Sequence, residues 1–295
     1  MSLALPTEIA NAVRQRQSYA GIPSDVLRGI QAAAEKTGVD FKYLLAQAKL
    51  ESGFDTTAKA VTSTAKGLYQ FIEQTWLKVV KDHGAEHGVG ELADAITTGS
   101  DGRMRVSDST TKKKILALRD DPELAAVMGA EFAADNKDYL SGKLNRPVNS
   151  TDLYMAHFLG AGGASRFLSA LERRPSSSAA DLLPDAAAAN KSIFYDKNGR
   201  ARSVRDVYAN FASKLEDAGE VATAAVSAQT EATVASAVGL GRQVGRSLAS
   251  AAGSITRMFG PALSTDTVLT LAALPIPGEK TQMDSRLAFA DRAAG

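Results

Sequence analysis

Cysteine is absent from the 295 residues, which excludes disulfides, thiolate nucleophiles, iron–sulfur clusters and cysteine-based zinc fingers. The redox compartment stays open, because a chain without cysteine works in either. An excess of charge is also missing. The 34 basic and 33 acidic side chains leave a formal net charge of +1, so no broad positive field exists to collect phosphates, and nucleic acid is not an expected partner. No stretch approaches the roughly 20 apolar residues of a membrane-spanning helix, so no transmembrane segment is expected. The opening MSLALPTEIANAVRQRQ contains an acidic residue and no sustained apolar core, which argues against a secretory signal there and for a soluble chain. Aromatics at 6 % and charged residues at 23 % fit an alanine-rich helical protein better than a β-sandwich.

What is present reads as successive short helices from about Pro23 to Leu215. Ser24 is placed to cap VLRGIQAAAEKT, which Gly38 ends. Asp40 caps FKYLLAQAKLES, which Gly53 ends, and EQTWLKVVKDH stops at Gly84. Asp121-Pro122 opens a long helix with apolar positions at Leu124, Val127, Met128, Ala130 and Phe132. DLYMAHFL, ASRFLSALER and VRDVYANFASKLED complete the series, with no convincing alternating strand pattern. The stretch between His87 and Leu118 reads as an insertion or long surface loop. The expected fold class is therefore all-α. The expected organisation is an N-terminal segment over 1–19, a helical domain over 20–217 and an Ala/Ser-rich low-complexity tail over 218–295. That tail holds little large apolar surface to offset chain entropy, so it is expected to be disordered or weakly helical. Within it Val244, Leu248, Ala252, Ile255 and Phe259 share one helical face beside Arg242, Arg246 and Arg257, which suits a weak helix packing on its own domain, a partner or a membrane surface.

The informative helix is the second. Phe41, Leu44, Leu45 and Ala48 mark a buried face, and the next position on it is Glu51. A carboxylate thus stands where the pattern asks for an apolar residue, in the last turn. Desolvation and the negative end of the helix dipole both disfavour its anion, which suits a general acid for glycosidic cleavage. The alternative is a glutamate that turns to solvent or pairs with a lysine as the helix ends.

The run AKLESGFD, followed by GLYQFIEQTW, resembles the lytic transglycosylase (SLT) family, whose fold is the goose-type lysozyme-like helical domain. Glu51-Ser52 matches the family's Glu-Ser pair at a helix end. Gly67-Leu68-Tyr69-Gln70 matches its Gly-Leu-(Met/Tyr)-Gln segment, and Ala156-His157-Phe158-Leu159-Gly160 loosely matches its Ala-Tyr-Asn-Ala-Gly segment. The resemblance spans about 20–217. It implies cleavage of the MurNAc–GlcNAc β-1,4 bond of peptidoglycan without water. Glu51 would protonate the leaving oxygen and then take the proton of the muramic 6-hydroxyl, closing a 1,6-anhydro ring. A hydrolytic glycosidase would instead need a second carboxylate across the bond, about 5–9 Å away. Only Asp55 and Glu73 follow closely, and both read as structural. A hydrolytic muramidase and a non-catalytic wall-binding or assembly protein stand as alternatives.

The same resemblance makes Ser52, Tyr69, Gln70, Tyr154, His157 and Phe158 the expected substrate-binding residues, with no cofactor and no metal. Ser52 could equally be a helix-end hydroxyl, and Tyr69 a core aromatic. The family tyrosine that faces the acid aligns with His157 and its asparagine with Phe158, while Tyr154 lies one turn earlier. Either Tyr154 or His157 reaches Glu51. A protonated imidazole there would favour the carboxylate, whereas a neutral one would only orient it. Peptidoglycan strands are the implied partner, in the periplasm or cell envelope, and the tail could recruit flagellar or secretion machinery. Three further patterns carry less. His83-Gly84-Ala85-Glu86-His87 spells H-x-x-E-H, but its glycines argue against the helix a zinc site needs. Gly160-Ala161-Gly162-Gly163 reads as a tight turn, and Lys112-Lys113-Lys114 as a solvated loop.

Overall fold

The computed structural model describes the backbone of residues 21–61 and 63–259 and the side chains as far as residue 231. The chain divides into two compact units, Met1–Gln229 and Thr230–Gly295. Helix α1 spans Ser24–Thr37 and α2 Phe41–Ser52; α3 covers Glu73–His83, followed by a 3-10 turn at Gly84–His87. A short α4 (Gly90–Asp94), a two-strand antiparallel hairpin of β1 (Thr97–Thr98) and β2 (Met104–Arg105), and α5 (Ser109–Ala117) fill the stretch expected to be a loop. Then come α6 (Pro122–Ser141), α7 (Ser150–Arg173), the short α8 (Ala179–Leu182), α9 (Pro184–Ala189) and α10 (Lys191–Phe194), and α11 (Val204–Phe259). The architecture is all-α, with that hairpin as its one sheet among the described residues.

Local chemistry sets the helix ends. Asp40 accepts from the Tyr43 amide at 2.7 Å and Asp121 from Leu124 at 2.8 Å, while Gly38 and Gly53 close α1 and α2 in the left-handed region. Ser24 does not cap α1. Pro23 takes the cap position without a side-chain bond, and Ser24 is already helical. The two helices expected around residue 160 are joined without a loop: Gly160 breaks α7 at φ 71°, ψ 156°, and the chain resumes its helical path at once.

Two hydrophobic cores form. The first gathers α1, α2, α3 and α6 around Leu44, Leu45, Tyr69, Trp76 and Met128. The second gathers the later part of α7 and the start of α11 around Phe167, Leu168, Phe194 and Phe211. Half-buried Tyr154 and Val148 touch both. Helix α2 buries more than one face: Tyr43, Ala46 and Gln47 are buried along with Leu44, Leu45 and Ala48, while Phe41 is only half-buried. The composition break at 217 falls inside α11. Ala218, Ala222 and Ala225 are buried against the first core, because a stripe of alanines lets a helix approach closely without large apolar side chains. Of the second unit, residues 230–259 are helical; the side chains of the Val244–Phe259 face lie outside the described residues, as do 1–20 and 260–295.

Candidate active site

The last turn of α2 carries Glu51 to the edge of the first core, with 19 % of its side chain exposed. Gly53 ends the helix, and residues 53–61 and 63–72 return as a loop pinned from several sides. The Ser52 hydroxyl donates to the carbonyls of Leu68 at 2.9 Å and Ala48 at 3.2 Å. Gln70, at φ 48°, donates through Nε2 to the carbonyls of Gly67 at 2.9 Å and Ala58 at 3.0 Å. Buried Arg119 donates through Nη1 to the carbonyls of Thr64 at 2.7 Å and Phe71 at 3.0 Å. Its own carbonyl oxygen stands 2.2 Å from where a Gly67 Cβ would lie, and Gly67 has φ 83°. Only glycine fits that position.

Across from this loop, α7 presents Tyr154 and His157, one turn apart. His157 Nε2 lies 3.4 Å from Glu51 Oε1, with 14 % of the imidazole side chain exposed. Its ring is parallel to that of Tyr154, with centroids 6.2 Å apart and planes at 7°, and edge-on to Phe132 at 6.2 Å. Burial pushes the Tyr154 hydroxyl's pKa up, and the neighbouring Glu51 charge and hydrogen bonding to Glu51 push it further. Tyr43, also raised chiefly by burial, senses Tyr69, Tyr154 and Glu51 in turn. The question left open between Tyr154 and His157 is answered by geometry: both face the carboxylate. Phe132, which the sequence marked only as apolar, also lines a 480 Å³ groove together with Gln74, Met104, Asn136, Tyr139 and Gly160.

Four expected substrate contacts are placed otherwise. Tyr69 is fully buried, its ring is packed on Gly129, and its hydroxyl donates to the Leu44 carbonyl at 3.2 Å, so it is a core residue rather than a sugar platform. Ser52 and Gln70 direct their donors into the main chain and shape the loop. Phe158 packs on Phe211, with centroids 5.1 Å apart, on the second core. The two other acids near Glu51 in sequence are engaged elsewhere. Hydrogen bonds from Thr57 hold the exposed Asp55 carboxyl below the usual carboxylate range, and Glu73 pairs with Lys112 at 2.7 Å.

Residues 28–98 match the family model for the transglycosylase SLT domain. The chain carries an SLT domain. This is the domain of peptidoglycan lytic transglycosylases, and the match contains both Glu51-Ser52 and Gly67–Gln70. The helical frame around the SLT match agrees with the lysozyme-like class expected for it. Tyr154 and His157 lie beyond the matched residues, so their place beside Glu51 rests on the geometry above. No helix among the described residues is long and apolar enough to cross a membrane.

A second polar cluster lies where the turn after α3 meets α6. Glu86, His87 and Glu131 bring their ligand atoms within 4.8 Å of one another, which makes them the metal-capable group among the described residues. His87 Nε2 is 2.8 Å from Glu131, and His83 lies 3.6 Å from Glu131 and 3.0 Å from Asp135. The Lys36 ammonium donates to His87 Nδ1 at 2.9 Å. That bond leaves the ring proton on Nε2, facing Glu131.

Proposed function

We propose that this chain is a lytic transglycosylase that cleaves the MurNAc–GlcNAc β-1,4 bond of peptidoglycan without water, with Glu51 as the single acid and base. The observation that carries this reading is that the two acids following Glu51 most closely in the sequence are engaged elsewhere. Glu51 stands half-buried at the edge of the first core, while Asp55 is tied to Thr57 and Glu73 to Lys112. A hydrolase would need a second carboxylate across the scissile bond.

In the first step Glu51 gives its proton to the bridging oxygen as the bond from muramic C1 breaks, and the substrate's own N-acetyl oxygen stabilises the sugar cation. In the second step the muramic O6 attacks C1, and the Glu51 carboxylate takes the O6 proton, which restores the acid and leaves a 1,6-anhydro end. Tyr154 and His157 hold the carboxyl group. The groove beside Phe132, with the exposed ring of Tyr139 on its rim, offers aromatic faces and amides of the kind that receive sugar rings. The periplasm or cell envelope follows as the place of action, because the glycan lies there. A role in opening the wall for flagellar or secretion machinery, with residues 218–295 as the recruiting segment, is part of the same reading.

The test is to digest purified peptidoglycan with the wild type and with Glu51→Gln, then to analyse the muropeptides by mass spectrometry. Anhydro-ended products that fall by about 10²–10⁴-fold in the variant are expected. Reducing-ended products would replace the reading with a hydrolytic muramidase, and binding with no release would make the chain a wall-binding protein.

A further inference from the structure

The two nitrogens of His157 sit in unlike settings. Nε2 lies 3.4 Å from Glu51 Oε1, whereas Nδ1 is buried and has no hydrogen-bond partner among the described residues. A neutral imidazole carries its single ring proton on one nitrogen or the other. On Nδ1 that proton would be a buried donor with nothing to receive it, one of the least tolerated arrangements in a folded protein. On Nε2 it lies on the nitrogen nearest a carboxyl oxygen, and Nδ1 is left as a bare lone pair. The ring is held in this orientation by the parallel ring of Tyr154 on its own helix and the edge contact with Phe132 from α6.

We propose that His157 is a positioning residue: a neutral imidazole with its proton on Nε2 that holds Glu51 by Oε1. The 3.4 Å approach is longer than an ordinary N–H···O bond, and catalytic contacts of this kind tighten when substrate fills the site. His157 therefore performs what the aligned tyrosine performs in the family pattern, but with a group that can donate from only one of its two nitrogens. That this hold serves catalysis rests on the proposed acid–base role of Glu51. The tautomer of His157 does not.

Two measurements on the full chain test this. The first is the ¹⁵N shifts of the ring nitrogens near neutral pH, with the His157 signals identified among the 3 histidines by their loss in His157→Gln. A protonated-type Nε2 and an unprotonated-type Nδ1 are expected; the reverse pattern, or two averaged shifts, would overturn the proposal. The second is steady-state kinetics. His157→Phe keeps the ring between Tyr154 and Phe132 but removes the donor, so kcat should fall by about 10²-fold with KM little changed. His157→Gln, whose amide nitrogen reaches the Nε2 position, should recover most of that loss. A rise in KM at constant kcat in the Phe variant, or no recovery in the Gln variant, would show that His157 does not act through Glu51. If the Phe variant does not fold, the ¹⁵N shifts of the wild type still decide. The two readings fail separately. Absence of anhydro products with an Nε2-protonated ring removes the transglycosylase reading alone, and anhydro products with an Nδ1-protonated ring remove the His157 assignment alone.

Discussion

The two cores of the first unit hold the site by different means. On the Glu51 side, order comes from the main chain: Ser52, Gln70 and Arg119 all donate to backbone carbonyls of the loop that follows α2. On the His157 side, order comes from side chains around one buried acid. Asp152 is fully buried and receives both Arg146 guanidinium nitrogens, at 2.6 and 2.9 Å, the Tyr208 hydroxyl at 3.0 Å and the Asn149 amide at 3.0 Å. Arg146 is the more basic for it, chiefly through its hydrogen bonds to Asp152. That network fixes the first turn of α7 against the start of α11, two residues before Tyr154. The acid is thus placed by hydrogen bonds to main-chain carbonyls and its partners by hydrogen bonds to one carboxylate.

The contrast is open to mutation. Asp152→Ala should be the most damaging change, because one buried carboxylate accepts from Arg146, Tyr208 and Asn149 at once and Glu172 replaces it only in part; losing several hydrogen bonds to a charged group costs about 3–5 kcal/mol. The melting midpoint should drop by roughly 10 °C, and activity at permissive temperature should fall because Tyr154 and His157 lose their footing. Arg119→Met, which keeps the length but frees the carbonyls of Thr64 and Phe71, should cost about 2–3 kcal/mol in chemical denaturation. If Arg119→Met left stability untouched and Asp152→Ala behaved as expected, the loop would not depend on its clamp and the two-part view would fail. Tyr69→Phe should lower stability by about 1 kcal/mol without raising KM for peptidoglycan, whereas a sugar-binding tyrosine would show the opposite. Ser52→Ala should be mildest, below about 1 kcal/mol by thermal melting, since its hydroxyl shares one proton between two carbonyls.

Much of the Glu51 side was legible in the sequence because its determinants are local. Asp40 and Gly53 bracket α2, the periodicity of that helix points at Glu51, and the spacing to Gly67–Gln70 carries the family pattern. The roles of those motif residues were less legible. Tyr69 could be placed in the core only once Gly129 and the Leu44 carbonyl were seen beside it. Arg119 left no trace, because a lone arginine after a charged helix looks solvated until the carbonyls it serves fold around it. The same holds for Asp152, whose capping-box position was readable in principle from Asn149 but whose partners Arg146 and Tyr208 were not. The end of the first unit was obscured by alanine, which a composition count treats as weak packing material and a close helix contact treats as a fit.

Arg119 fills two positions at once: its guanidinium ties Thr64 and Phe71, and its carbonyl oxygen denies Gly67 any side chain. For protein engineering this sets the smallest transplantable piece of the site. Copying Glu51-Ser52 and Gly67–Gln70 into another helical scaffold would carry over the recognisable words but not the residue that makes them adopt their shape. A working graft has to bring position 119 with it, main chain as well as side chain.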